Sequence, residues 1–355
     1  MTAPTVTVVM SVYNGEKDIR KAIDSILDQT FSDFEFFIIN DGSTDTSKKI
    51  ILSYNDSRIH LIENEKNIGL TPSLIKGLQL AKGTYIARID IDDVAMPQRF
   101  REQVNMFNQN QQLGLLGTWY YEVSDTQKIK KTPSPDSVIL RWNLLFGTTF
   151  GHFSVMIRSE AYRDVGGYNP ACTVAQDYEL WSRIARKWEI GMVPKILGTR
   201  RICKGSISLN KETLQQESAE QTSIRNLLLL TKGQLSWEEC VSGYMLMERG
   251  LVPDDKKKLY DALYSIKTFV TCFIDTFPNM KVDKKVKFAC VHKLLNNISP
   301  SCTIAQRLLL YRFAFILTPF NTLCVIVQKI IKNLCYYFCV AFDKHTLSKE
   351  TRLNQ

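Results

Sequence analysis

The feature that most constrains this chain is the regular alternation of strand-like and helix-like patterns over its first hundred residues. Strand signals fall at TVTVVMSV (5–12), FEFFIIN (34–40), RIHLIE (58–63) and TYIARI (84–89). Helical patterns separate them, at EKDIRKAIDSILDQ (16–29), STDTSKKIILSY (43–54) and TPSLIKGLQLAK (71–82). In the first helix Ile19, Ala22, Ile23, Ile26 and Leu27 recur at helical spacing. Such alternation predicts βαβ units and an α/β fold built on a mostly parallel sheet. Each predicted strand ends in polar or turn residues: Ser11–Gly15, Asn40–Ser43, Asn64–Gly69 and Asp90–Asp93. In a parallel sheet these four ends share one edge, where ligands of such folds bind.

One of those ends carries an unusual charge. IARIDIDDVAMP (86–97) places Asp90, Asp92 and Asp93 directly after an apolar run. Aspartates make turns and caps, which accounts for one or two of them. Three so close repel one another unless a cation offsets them. Asp-x-Asp at a strand end also suits Mg²⁺ or Mn²⁺, which take one or two carboxylates and complete their shells with phosphates.

Two further stretches carry candidate chemistry. In NDGSTD (40–45) Asp41 and Ser43 can simply make the turn, or Asp41 can accept hydrogen bonds from a nucleotide base or ribose. QDYELW (176–181) puts Asp177 in the first turn of a predicted helix, where the dipole favours its charged form. A helix-end charge with Leu180, Trp181 and Ile184 turned to the core accounts for that pattern; a general base that stays ionised is the functional alternative. His152, ahead of a predicted strand at HFSVMIRS (152–159), is the histidine of the chain's four best placed to line a site, and a structural role fits it equally. Neither a GxGxxG fingerprint nor a GxxxxGK[ST] loop occurs, which removes the best support for dinucleotide redox chemistry and P-loop phosphoryl transfer.

The second half looks different. Beyond 97 follow a predicted helix (99–110), a strand at GLLGTWYYEVSD (114–125), a polar loop at 125–137, a helix opening at 175, and KILGTRRICKGSISL (195–209) closing the alternating part. Residues 1–200 are charge-balanced, 23 basic against 23 acidic side chains, so residues 201–355 hold the whole net charge of +9. Their helical patterns carry basic clusters, DDKKK (254–258) and KVDKKVK (281–287), and the apolar segment 308–342 is interrupted by Arg312, Pro319, Lys329 and Lys332. No run reaches the ~20 apolar residues of a spanning helix, so helices lying in a membrane interface fit best, with a buried core or dimer contact as the alternative. The nine cysteines form no CxxC pair and no zinc spacing, and the N-terminal stretch lacks a basic leader; both point to reduced thiols in the cytoplasm.

Taken together these residues resemble family 2 of the inverting glycosyltransferases, which have the GT-A fold. The resemblance runs from about Val6 to Ser208 through MSVYNGE, DSILDQTFSDFE, NDGSTD, KNIGL, AKGTYIARIDIDD, MPQRFREQV, GLLGT, HFSVMIRSEAYRDVGGY and QDYELWSRIA. It implies a Rossmann-like GT-A catalytic domain at 1–208, with a mixed, mostly parallel sheet, and a helical, basic, membrane-associating region at 209–355. It implies that Val12, Tyr13 and Glu16 line the nucleotide pocket, that Asp41 contacts the base, and that Lys66 and Asn67 lie near the donor. Asp90 would contact the ribose or sugar, and Asp92, with Asp93 beside it, would bind Mn²⁺ or Mg²⁺ on the donor diphosphate. Asp177 would be the catalytic base. His152, Gln176, Trp181 and Lys204 are candidate acceptor or diphosphate contacts.

The chain departs from the family pattern at four places. Asn40-Asp41 replaces the commoner Asp-Asp, Ile75 stands where many relatives have Asn, and Gln176 where many have Glu. Cys203 stands where many have a histidine, a loss that Lys204 could cover. The implied function is transfer of a sugar, as UDP-hexose, to a lipid-linked glycan acceptor with inversion, on the inner face of the membrane and without nucleic acid. The competing expectations are a catalytically inactive nucleotide-sugar-binding scaffold, a nucleotidyltransferase, for which SVYNGE lacks the Gly-rich basic loop, and a nucleic-acid binder prompted by the basic half.

Overall fold

The structure is a computed structural model that describes residues 3–202, 212–278, 282–298 and 301–318. The chain divides into two compact units, Met1–Asn226 and Leu227–Gln355.

The first unit is built on a nine-stranded sheet of order β3-β2-β1-β4-β8-β6-β9-β5, with β7 pairing off this path with the C-terminal part of β6. Its strands are β1 (Val6–Val12), β2 (Phe34–Asn40), β3 (Ile59–Glu63), β4 (Tyr85–Arg88), β5 (Val94–Ala95), β6 (Leu113–Val123), β7 (Lys128–Lys131), β8 (Met156–Arg158) and β9 (Glu189–Arg201), and the helices among them are α1 (Ile19–Leu27), α2 (Ser47–Leu52), α3 (Leu70–Gln79), α4 (Arg99–Gln109), α5 (Ser137–Leu144), α6 (Ser159–Asp164) and α7 (Gln176–Lys187). β1 to β4 are mutually parallel, as the alternation predicts. β8 then runs antiparallel to both β4 and β6, β9 runs parallel to β6, and β5 antiparallel to β9. The sheet is therefore mixed and mostly parallel in its first half.

β1 and β2 are apolar along nearly their whole length because helices cover both faces of the sheet. Alternate residues sort into two cores. Val6, Val8 and Met10 pack with Phe36 and Ile38 beneath α1 (Ile19–Leu27), while Val9 and Ile39 pack with Leu74 of α3 (Leu70–Gln79) and with Trp181 and Ile184 of α7 (Gln176–Lys187). α1 buries the stripe Ile19, Ala22, Ile23 and Ile26 that its spacing announces. Burying each of these isoleucine side chains contributes about 1.5–3 kcal/mol.

Three local differences from the sequence expectations have simple causes. The polar stretch 125–137 contains β7, which pairs antiparallel with β6; Lys128 and Lys130 lie over the rings of Tyr121 and Trp119 at 4.0 and 5.5 Å, holding a hairpin that composition disguises. The strand expected over 152–159 is only Met156–Arg158, because His152–Ser154 forms a 3₁₀ turn. β5 is two residues long and too short to leave a periodic signal.

The second unit is helical, with helices Trp237–Glu248, Lys256–Thr276, Val282–Asn296 and Ile304–Leu317. Ser236 and Thr303 each form a complete capping box, and Asp255 caps its helix through the Lys258 N–H. Leu259, Leu263, Ile266, Phe269, Val270 and Phe273 bury one face of the long helix. Of the apolar segment 308–342, only residues up to Thr318 are described, and the remainder lies outside the described residues.

Candidate active site

The strand order reverses between β1 and β4, and the crevice at this switch point opens at the carboxyl ends of the parallel strands. The segments leaving β1 and β2 are laced together there. The Asn14 N–H donates to Ser43 Oγ (3.1 Å), the Gly15 N–H to Ser47 Oγ (2.8 Å), and the Thr44 N–H to Asn14 Oδ1 (2.8 Å). Glu16 Oε2 accepts from the hydroxyl and N–H of Thr46, which holds its carboxyl below the usual range. Asn14 adopts the left-handed conformation at φ 50°.

Of the residues expected around a nucleotide, Tyr13 stands on the rim, 48% exposed. The Val12 side chain lies wholly in the core, and its carbonyl accepts from the Asp41 N–H at 2.7 Å. Asp41 is only 2% exposed. Its Oδ1 accepts from Asn64 Nδ2 (2.8 Å) and the Ile68 N–H (2.9 Å), and its Oδ2 from the Gly69 N–H (2.9 Å). Asp41 thus holds the 64–69 loop, which presents Lys66 and Asn67 to solvent. Gly42 makes this approach possible: at φ +67°, a Cβ there would lie 2.5 Å from the Lys66 carbonyl carbon and 2.6 Å from the Asn67 nitrogen. Gly42→Ala should therefore cost about 2 kcal/mol or more and lower Tm by several degrees in thermal denaturation. An unchanged Tm would show that this loop contact is not held tightly.

The acidic stretch after β4 places its three carboxylates in three different environments. Burial opposes charge on Asp90, but Arg88 outweighs it, its Nη2 donating to Asp90 Oδ1 at 2.5 Å, so this carboxyl titrates below the usual range. Asp93 is 3% exposed; burial, with Asp90 and Asp92 nearby, holds its carboxyl well above the usual range even though Oδ1 accepts from the Arg201 N–H at 3.0 Å. Asp92 is pushed up to about 6, by burial first and by the charge of Asp90 second. It opens onto a cleft of ≈ 190 Å³ lined also by Asp18, Lys21, Val94, Thr199 and Arg201. Beneath Asp93, the fully enclosed Arg99 is drawn down to about 9 by burial.

The second part of the site comes from α7. Ala175, just before it, sits at φ 50°, ψ 24°, a left-handed conformation that costs a residue with a Cβ about 1 kcal/mol or more. This turn starts the helix so that Asp177 falls in its first turn. Trp181, one turn on, is fully buried, and Gln176 is 6% exposed. The His152 ring lies 6.0 Å from the rings of both Trp181 and Tyr168, and His152 Nε2 is 2.7 Å from the Tyr168 hydroxyl. Burial pushes His152 down to about 4, with Arg88 acting the same way and Asp177 and Asp90 opposing. Asp90 and Asp177 both act on Tyr168 as well, and Asp93 and Asp177 both act on Tyr120. Asp90 and Asp177, far apart in sequence, therefore both lie within electrostatic reach of His152 and Tyr168, and Asp93 and Asp177 within reach of Tyr120. Lys204 lies outside the described residues.

Because the depressed His152 stays neutral in the fold, the unfolded chain takes up its proton first. Stability from this residue is complete above about pH 6.5 and falls as pH drops toward 4. His152→Gln should flatten that part of the stability–pH curve relative to wild type, read by denaturant unfolding at a series of pH values. Parallel curves would remove the residue from the acid response.

Arg88, Arg99, Tyr120, Tyr168 and Arg200 were not singled out from the sequence. Arg88 left a signal, as the one basic residue in the buried run YIAR. Among the described residues no three His, Cys, Asp or Glu side chains form a group able to hold a metal ion. Asp92 nevertheless has the character of a metal-binding carboxylate: it is half-buried, its charge is disfavoured, and it faces an open cleft, which suits a site completed by ligand phosphates.

Comparison with known proteins agrees with this geometry. Residues 7–166 match the model of Glycosyl transferase family 2. An uncharacterised glycosyltransferase of Methanocaldococcus jannaschii is 33% identical over 211 residues, covering 57% of this chain and 72% of the relative. Among solved structures, Staphylococcus aureus TarS 1–349 in complex with UDP-GlcNAc superposes with TM-score 0.56 at 14% identity, over 82% of this chain and 89% of TarS 1–349. The mannosyltransferase PcManGT of Pyrobaculum calidifontis, in complex with GDP-Man and Mn²⁺, superposes with TM-score 0.51 at 15% identity, over 94% of this chain and 88% of that one. The superpositions agree with the fold and the sequence match spans the strands that build the crevice; the chain belongs to glycosyl transferase family 2 and has the GT-A fold.

Proposed function

We propose that the protein moves a hexose from a nucleotide-diphosphate sugar, taken to be UDP-hexose, to a hydroxyl of a lipid-linked glycan acceptor, with inversion, in surface polysaccharide or glycolipid biosynthesis. The observation that carries this reading is that Asp177 and Asp90, the first carboxylate of the acidic stretch, both act on His152 and Tyr168. A base and a donor-binding acidic stretch facing one space suit a single displacement at an anomeric carbon.

In this reading Tyr13, Glu16, Asp41, Lys66 and Asn67 surround the nucleoside, with Val12 contributing backbone. Asp90 faces the ribose or sugar, held by Arg88. Asp92 would hold Mn²⁺ or Mg²⁺, with Asp93 beside it; the ion, when bound, would offset charge on the departing diphosphate. Asp177, at the start of its helix, accepts the acceptor hydroxyl's proton as that oxygen attacks the face opposite the leaving group. His152, Gln176 and Trp181 border the acceptor side, and Lys204 is kept as a diphosphate contact.

We assign the catalytic domain to 1–208 and membrane association, peripheral and on the inner face, to 209–355. No helix among the described residues is long and apolar enough to cross a membrane. Ile304, Leu308, Phe315 and Ile316 are 53–80% exposed on one helix, beside a chain segment rich in lysine. The test is a transfer assay with radiolabelled nucleotide sugars and a bacterial lipid extract, followed by NMR of the product's anomeric proton. Inverted product on lipid supports the reading; donor binding without transfer would favour a binding scaffold. Deleting residues after about 300 should lower recovery of the protein with membranes, and unchanged fractionation would place that region in core or interface.

A further inference from the structure

We propose that Thr71 is a positioning residue for the transfer step, its hydroxyl fixing the turn from which Asp177 projects; the assignment rests on the reading of Asp177 as the base. Thr71 Oγ1 donates to the Cys172 carbonyl at 2.9 Å, joining residues 101 apart in sequence. Thr71 is buried, so water does not compete for this bond.

The ends of this bond belong to the two sides of the proposed reaction. Thr71 lies in the first turn of α3, whose cap residue Gly69 donates its N–H to Asp41 Oδ2. Cys172 lies in the loop that ends at Ala175, whose left-handed backbone starts α7 and puts Asp177 in its first turn. The loop with the proposed donor contacts and the helix with the proposed base are thus tied to each other through the Thr71 hydroxyl.

The two sides are held differently. The 64–69 loop is fixed without Thr71, since Asp41 accepts from Asn64 Nδ2 and from the N–H groups of Ile68 and Gly69. Asn64 Nδ2 also donates to Ser73 Oγ at 3.0 Å, and Asn64 Oδ1 accepts from Lys76 Nζ at 2.7 Å. Segment 169–175 relies on itself, the Ala171 N–H donating to Asn169 Oδ1 and the Cys172 N–H to the Asn169 carbonyl, both at 3.0 Å. Among the described residues, the side-chain hydrogen bonds that reach it from other elements come from Thr71 and, at a longer 3.3 Å, from Ser218 to the Val174 carbonyl. A left-handed alanine persists only where its surroundings over-determine it. Without the Thr71 bond the Ala175 turn can relax and carry Asp177 away from the acceptor hydroxyl, and a misplacement of about 1 Å costs up to about 10²-fold in rate.

The test uses the full chain and reads UDP affinity by calorimetry in Mn²⁺ and transfer from the UDP-sugar in single turnovers. Thr71→Val keeps the shape and loses the hydroxyl; it should lower the rate about tenfold or more and leave UDP affinity within about twofold. Thr71→Ser keeps the hydroxyl and should restore the rate to within about threefold of wild type. In an Asp177→Asn background Thr71→Val should cost less than about twofold further, because no base is left to misplace. A wild-type rate in Thr71→Val, or an equal loss in Thr71→Ser, would overturn the assignment. So would a loss that UDP affinity shares, which makes Thr71 part of the donor pocket, or one that persists in full without Asp177, which makes the bond purely structural. Full turnover by Asp177→Asn alone would instead overturn the base reading. A wild type that neither transfers nor hydrolyses any nucleotide-sugar would overturn the transferase reading, and the role of Thr71 falls with either.

Discussion

Asp177→Asn should lower the transfer rate by about 10³-fold or more and leave donor binding within about twofold of wild type. The first half follows from chemistry: a positioned base accelerates proton removal by about 10²–10⁴-fold, and an amide of the same shape cannot accept that proton. The second half follows from placement. Asp177 belongs to the first turn of α7, whereas the residues proposed to face the nucleotide belong to the ends of β1, β2 and β4. Rapid-quench rates and UDP-sugar calorimetry on the same preparation separate the two. Full turnover by the variant would remove Asp177 from the base role, and a parallel loss of binding would make it a donor contact.

Asp92→Asn should stabilise the protein without ligand and abolish its metal-dependent donor binding. A carboxyl raised to about 6 is charged at pH 7.5 at a cost to the fold that the unfolded chain does not bear. The amide removes that cost, so Tm should rise by a few degrees, or about 1 kcal/mol, at pH 7–8, with the gain shrinking as pH falls through about 6. Asp90→Asn should do the opposite. It strips the 3%-exposed Arg88 of its carboxylate and should cost about 3 kcal/mol. Thermal denaturation with and without Mn²⁺ and UDP checks both. If both variants destabilised alike, Asp92 would be a structural residue rather than a site held ready for a cation.

The parts of the fold legible in the sequence are those whose physics is local and periodic. The alternation through 5–89 reports four parallel strands because β1, β2 and β4 are buried on both faces and α1 between the first two buries one stripe. The shared sheet edge followed from that alternation, and so did the acidic stretch as a candidate site. What stayed hidden depends on partners distant in sequence. Arg201 meets Asp93 across 108 residues, through a two-residue strand that has no period of its own. The pairing of His152 with Tyr168 joins a 3₁₀ turn to the GGYNP turn, neither of which sequence patterning orients. The left-handed Ala175 that sets the start of α7 is invisible because alanine gives no turn signal. The family resemblance supplied roles for Asp41 and Val12 but not their contacts: Asp41 spends three acceptor positions on the 64–69 loop, and Val12 turns its side chain to the core.

The central claim is that the crevice at the β1–β4 switch point binds a nucleotide-sugar together with a divalent cation. The most direct measurement is a thermal-shift screen of UDP, GDP, TDP and CMP, each with and without Mn²⁺, since a ligand of the folded state raises Tm by mass action. The account predicts a rise with one nucleoside diphosphate that depends on Mn²⁺ and is lost in Asp92→Asn. No shift with any nucleotide, or a shift that ignores both Mn²⁺ and Asp92, would contradict it.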